Sequence, residues 1–327
     1  MRGFLNRMAV FLLFQSLIVM GVLYFGSPNS SNHYFSAIVD KTRRMESVVA
    51  PKLIITGGSN VAFGIDSQRI ADALAREPVN LGLHAGLGLN FCLEVVKENL
   101  NAGDLVVISP EYELLCTERI HGVPSTIQLL TEHWPQAKGL FSEVDFSWKN
   151  FFDHEAIWTA HVWWRRARHR VLGRSAVGDA YVRTSFNEIG DYVDHLDKES
   201  KPVMELLDIS ELDFESVELA VNSINDFADF CNVRGVQVVF SFPPIAQESF
   251  ELCQESVAEL NRILRSRLKI PVIDSPNELV FTEKQFYDTC NHLSKTGRRI
   301  RSDAMIASLI DFYPAQVSQK ESNTQLK

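Results

Sequence analysis

The sequence is poor in cysteine, proline and glycine, with 5, 12 and 17 of them among 327 residues. Each scarcity excludes something. Cys92, Cys116, Cys231, Cys253 and Cys290 show no C-x-x-C spacing and leave one unpaired in any disulfide scheme, so they do not form a disulfide framework. Four of them sit in apolar surroundings and are expected as small buried residues. No cluster of His and Cys has zinc-site spacing, and no cofactor is expected. With little Pro and Gly, and 46% hydrophobic against 22% charged residues, the chain is ordered and long enough to bury a full core. Positive charge is short as well. Lys and Arg number 32 against 41 Asp and Glu, a formal charge of -9, which gives no electrostatic reason to bind a nucleic-acid backbone.

What the N-terminus does have is an apolar run over residues 8–25, interrupted only by Gln15, Ser16 and Gly21, with no charge between Arg7 and Asp40. Its length suffices to span a bilayer. Arg2 and Arg7 precede it and no basic residue follows until Lys41, so the N-terminus is expected in the cytoplasm and the rest outside, in the periplasm if the cell is bacterial. The run is long for a signal peptide and no Ala-x-Ala site follows. An uncleaved, single-pass anchor in a bacterial inner membrane (1–26) is therefore expected.

Residues 27–50 read as a stalk, polar and then mixed in charge. Five short, nearly all-apolar runs follow, at 53–56, 79–83, 105–109, 236–242 and 271–273, as expected of strands buried on both faces. Helical spacing appears between them at 67–76, 89–101, 214–233, 247–268 and 295–312. That alternation predicts an α/β fold with a five-stranded parallel sheet, whose ligands bind beyond the carboxyl ends of the strands. The domain is expected over 51–115 and 205–315, ahead of a frayed tail at 316–327. The alternation breaks over 116–204, which holds Trp134, Trp148, Trp158, Trp163 and Trp164 and reads as a mostly helical insertion or cap. Its segment 161–170 is basic and aromatic, suited either to an anionic polysaccharide or membrane surface, or to an ordinary amphipathic helix.

Chemistry concentrates at two places. The first run ends in Gly57-Gly58-Ser59-Asn60, where glycines permit a tight turn and a serine sits at a strand's carboxyl end. Near the C-terminus, Tyr287-Asp288-Thr289-Cys290-Asn291-His292-Leu293 leads into the last helical segment. Serine acyl chemistry needs a base for the hydroxyl proton and an acid to hold the imidazole, and this block carries both residue types. Alone, each block also fits a plain reading: a solvated serine at a strand exit, a capped turn and a surface histidine.

In order and placement the two blocks resemble the SGNH (GDSL-like) hydrolase and acyltransferase superfamily, over residues 51–115 and 205–313. The resemblance implies a three-layer, flavodoxin-like fold with Ser59 as nucleophile, His292 as base and Asp288 as its orienting acid. It also implies an oxyanion hole built from the amides of Ser59 and Gly86, the latter in Asn80-Leu81-Gly82-Leu83-His84-Ala85-Gly86-Leu87-Gly88, with Gly82 and Gly88 as alternates. Two departures stand out. The family's third donor, an Asn after the third strand, is replaced by Ser109-Pro110-Glu111-Tyr112-Glu113, which leaves Asn60, Asn90 or Tyr112 to serve. The Asp-to-His spacing is one longer than usual, so Glu111 or Glu113 remains an alternative orienting acid. The resemblance further implies O-acyltransferase or esterase activity on an extracytoplasmic carbohydrate, alongside a membrane-bound acyltransferase partner. A silent member that binds polysaccharide or scaffolds a membrane complex is the alternative.

Overall fold

A computed structural model describes residues 2–26, 31–49, 51–141, 181–201 and 206–312. In chain order it contains α1 (Arg2–Gly26), α2 (Ala37–Ser47), β1 (Lys52–Thr56), α3 (Ser59–Gly64), α4 (Ser67–Leu74), β2 (Glu77–Asn80), α5 (Gly88–Lys97), β3 (Leu105–Ile108), α6 (Glu113–Cys116) and α7 (Pro124–His133). There follow α8 (Phe214–Asn232), β4 (Gln237–Phe240), β5 (Ile245–Ala246), α9 (Gln247–Arg267), β6 (Val280–Phe281) and α10 (Lys295–Phe312).

The architecture is α/β. Four strands pair in parallel in the order β2-β1-β3-β4, with Ile54 opposite Val79 and Val106, and Val106 opposite Val238. Alternate strand residues point to opposite faces. Ile54, Val106 and Val238 join a core with Phe91 and Val95 of α5 and Val221 and Ile224 of α8. Leu53, Ile55, Val107 and Val239 pack instead on Ile70 and Leu74 of α4 and Met305 and Leu309 of α10. Helices thus cover both faces, which is why these strands are apolar throughout. In this order the chain reverses direction between β1 and β3, the place where open α/β sheets bind ligands.

The sheet has four strands, not five. Residues 271–273 contribute a single parallel bridge, Phe240 with Val272, made by the Phe240 N–H on Pro271 O at 2.8 Å and the Ile273 N–H on Phe240 O at 3.0 Å. The ladder stops there because the Phe242 N–H donates to the Asp274 carboxylate at 2.8 Å rather than to a backbone carbonyl. β5 and β6 form a separate two-stranded parallel sheet.

Residues 31–49, expected in a stalk, pack into the domain. Ala37, Ile38, Lys41, Thr42 and Met45 are one buried helical face of α2. Lys41 is tolerated there because its ammonium donates to the carbonyls of Asn80 and Gly190. Burial pushes its pKa down to about 7. Among the described residues no helix is long and apolar enough to cross a membrane, so the spanning anchor expected over 8–25 is not shown. The structure does show the 25-residue α1, with Phe4, Val10, Phe11, Leu13, Phe14 and Leu17 exposed.

The insertion opens at the end of α6 and continues helically through a 3-10 turn at Glu118–His121, α7, and a 3-10 helix at Pro135–Leu140. Its other described stretch, 181–201, is irregular apart from a 3-10 turn at Arg183–Ser185. The basic-aromatic segment 161–170, Trp148, Trp158, Trp163, Trp164 and the tail at 316–327 lie outside the described residues.

Candidate active site

Ser59 opens α3 directly beyond β1, at 8% exposure. The two glycines before it are required by close approach: a Cβ on Gly57 would fall 2.3 Å from Ser109 O, and one on Gly58 2.3 Å from both Glu111 carboxylate oxygens. Glu111, fully buried beyond β3, accepts the N–H of Gly58 at 3.1 Å and of Asn60 at 3.0 Å. The Ser59 hydroxyl donates to the same carboxylate at 3.5 Å, a long and therefore weak bond. Glu111 thus holds the turn that carries Ser59, and its hydrogen bonds go to that turn and not to His292.

The Asp288–His292 block is a closed loop. Phe286 and Leu293 form an antiparallel bridge, and the Tyr287 N–H donates to His292 O at 2.7 Å. That closure brings residues four apart face to face without a helix, and His292 Nδ1 lies 2.9 Å from Asp288 Oδ1. Tyr181, absent from the sequence-based candidates, donates its hydroxyl to Asp288 Oδ2 and lies 3.3 Å from His292 Nδ1. Burial raises the Asp288 pKa, but the bonds from His292 and Tyr181 outweigh it and hold the carboxyl below its ordinary value.

What joins the two blocks is Phe63, one helical turn after Ser59 on the same side of α3. The His292 ring stacks on Phe63 with centroids 3.8 Å apart and planes 8° from parallel. Leu293 packs against Gly64, and Arg301 of α10 donates to Asn60 O. The His292–Asp288 pair therefore lies against α3, the helix that Ser59 begins, while the hydrogen bond of the Ser59 hydroxyl among the described residues goes to Glu111 and not to His292.

The oxyanion candidates fare differently. The Gly86 N–H donates to His84 Nδ1 at 2.9 Å, the Gly82 N–H to Asn80 Oδ1 at 2.9 Å, and the Gly88 N–H to Ala85 O. All three glycine amides are already engaged. Asn60 is fully buried and its side-chain amide donates to Ser109 O at 3.1 Å. Tyr112 is buried beside Phe242, and among the described residues its hydroxyl has no hydrogen-bond partner. Asn90 lies half-buried in the first turn of α5. Glu113 faces Arg119 at 3.8 Å. Among the described residues no group of three or more His, Cys, Asp or Glu gathers as a metal site requires.

Burial pushes the Glu111 carboxyl up from 4.5 to about 7, against the two amides that lower it. A group raised in this way binds more protons folded than unfolded between those two values. Its stabilising contribution is full below about pH 4.5 and is lost as pH rises through about 7. Replacing Glu111 with Gln removes the titration and leaves one of the two amides short of an acceptor. Urea unfolding from about pH 4 to pH 8 should show wild-type stability falling relative to Glu111→Gln across that window. A level difference would mean that Glu111 ionises as an ordinary carboxylate.

No protein-family model matches the chain, and no curated protein matches it.

Proposed function

We propose that the chain performs serine-dependent acyl-ester chemistry and is a member of the SGNH superfamily. The observation that carries this reading is the Asp288–His292 pair, bonded at 2.9 Å and stacked on the helix that Ser59 begins. With Nδ1 engaged by the carboxylate, His292 keeps Nε2 for the base's work. The Ser59 hydroxyl proton passes to His292 Nε2 while Oγ bonds to the acyl carbon. The proton returns to the leaving oxygen as the ester bond breaks. Water or a sugar hydroxyl then takes the acyl group, its own proton following the same route through His292.

The carbohydrate in this proposal lies outside the cytoplasm, as acyl acceptor for a transferase or as ester substrate for an esterase, and a membrane-bound acyltransferase partner passes the acyl group to the site. The exposed apolar side chains of α1 support a membrane attachment, since lipid covers such a surface at no hydration cost. Arg2 and Arg7 ahead of the run support a cytoplasmic N-terminus in a bacterial inner membrane. The three engaged glycine amides favour a second reading, a catalytically silent polysaccharide-binding or scaffolding protein.

Both readings meet one experiment. Full-length protein in detergent is assayed on 4-nitrophenyl acetate and treated with a fluorophosphonate, beside Ser59→Ala and His292→Ala. Ester cleavage and labelling that both depend on Ser59 support the enzyme; equal inactivity and no labelling in all three support the silent protein.

Tyr181 gives a finer check. Its hydroxyl is one of the bonds holding Asp288 ionised, so Tyr181→Phe should raise the Asp288 pKa and move the acid limb of the kcat/KM profile to higher pH. A profile whose acid limb stays in place, or moves down, contradicts this role.

A further inference from the structure

The stretch 181–201 of the insertion is bonded directly to the loop that carries Asp288 and His292, and at three separate points. The Tyr181 hydroxyl donates to Asp288 Oδ2. The His195 ring bonds through Nε2 to Leu293 O at 2.9 Å, and the Lys201 N–H donates to Tyr287 O. Tyr287 and Leu293 are the residues immediately before Asp288 and after His292, so both legs of the loop are tied to the same stretch. A fourth contact reaches α3. The Tyr192 N–H donates to Ala62 O at 2.8 Å, and its ring stacks on Phe63 with centroids 4.2 Å apart and planes 17° from parallel. The His292 ring lies equally flat on Phe63 at 3.8 Å, and two rings so placed must occupy opposite faces.

His195 is the member of this set that acts on the backbone beside His292. It is 2% exposed, with ring centroids 5.0 Å from Phe63 and 5.3 Å from Tyr287. The loop's own bonds engage the carbonyls of Gln285 and His292 and leave that of Leu293 to His195. A carbonyl only accepts, so Nε2 carries the proton; Nδ1 has no hydrogen-bond partner among the described residues. Burial holds the ring's pKa down to about 4 against the opposing effect of the Leu293 bond, which keeps it neutral at pH 7. A neutral donor grips the loop without setting a second positive charge beside the imidazolium that His292 becomes.

We propose that the stretch 181–201 is part of the base's own support, and that His195 is a positioning residue: by gripping Leu293 it holds the His292 imidazole against Asp288. The proposal deepens the reading of Ser59 and His292 and rests on it for its effect on rate.

The test compares full-length wild type in detergent with His195→Gln, His195→Asn and Ser59→Ala. Glutamine carries an amide N–H near the place of Nε2, whereas asparagine carries the same group one methylene short of Leu293. On 4-nitrophenyl acetate, His195→Asn should lose about 100-fold in kcat with KM unchanged, and His195→Gln should stay within about tenfold of wild type. Rates are referred to the folded fraction found by circular dichroism on the same samples. Long-range nitrogen–proton NMR gives a readout that needs no activity. The His292 Nδ1–H, displaced far downfield by its bond to Asp288 in wild type, should move upfield or vanish in His195→Asn and persist in His195→Gln. A resonance unchanged in His195→Asn overturns the proposal, as do equal kcat values for the two variants or a change in KM alone. If wild type is no faster than Ser59→Ala, the reading of Ser59 fails, and the resonance alone decides whether His195 holds the pair.

Discussion

Ser59→Ala is expected to cost at least about 10,000-fold in kcat/KM for ester cleavage, and His292→Ala a comparable amount, because in the proposed mechanism nucleophile and base act as one unit. For the same reason the double variant should be little slower than either single one. The loss of rate should come with almost no loss of stability. Among the described residues the Ser59 hydroxyl makes a single hydrogen bond, the 3.5 Å contact with Glu111, and the Gly58 and Asn60 amides keep their acceptor when Oγ is removed. A bond of that length contributes less than about 1 kcal/mol. Steady-state kinetics with urea unfolding on the same preparations checks both halves, and mass spectrometry locates the fluorophosphonate adduct. Ser59→Ala within about tenfold of wild type, or an adduct on another residue, would remove Ser59 from the mechanism.

The parts of the fold legible in the sequence are those governed by local pattern. β1, β3 and β4 are apolar on both faces because helices cover both faces of the sheet, and the sequence carries that directly. What it does not carry is competition from distant polar groups. Residues 271–273 are as apolar as a strand, but the Asp274 carboxylate takes the Phe242 amide and ends the ladder. Residues 37–47 look like a charged stalk, and Lys41 is the reason; only the carbonyls of Asn80 and Gly190 make its burial possible. The site follows the same division. The Asp288–His292 contact was legible in part, because a carboxylate and an imidazole stand close together in one short block; that the loop closes to bring them to 2.9 Å was not. The Gly86 amide was not, since no sequence shows that a histidine two residues earlier accepts from it. Tyr181 left no signal, being one aromatic residue in an insertion of unassigned contacts. Glu111 did leave one: a carboxylate stands where the SGNH resemblance implies an amide. Its acceptor role toward Gly58 and Asn60 needed the fold to bring the β1 and β3 exits together.

Arg301→Met should be the most destabilising single change near the site, by about 3–5 kcal/mol, since it removes one member of a buried charge cluster and leaves the rest. Arg301 is 1% exposed on α10 and donates to Asn60 O and Ser109 Oγ, each at 2.7 Å. Burial lowers its pKa to about 10, while the Asp274 and Glu111 carboxyls act in the opposite direction and keep it charged. Methionine fills much of the volume but satisfies neither acceptor and leaves both carboxyls without their cation. Those carboxyls are already raised by burial, to about 6 and about 7, so they should shift further up. Arg301→Lys should recover only part of the stability, because one ammonium does not reproduce the planar fork that reaches two acceptors. The check is the urea midpoint at constant m-value. A loss under about 1 kcal/mol for Arg301→Met would mean that the guanidinium does not hold this cluster. The consequence for chemistry follows from where the fork points. It ties the last helix to the carbonyl of the residue after Ser59, 241 positions away, and α10 begins directly after the loop that carries Asp288 and His292. The proposed nucleophile and base therefore share a buried cation as their common support, and in the folded fraction of Arg301→Met, kcat should fall with KM little changed.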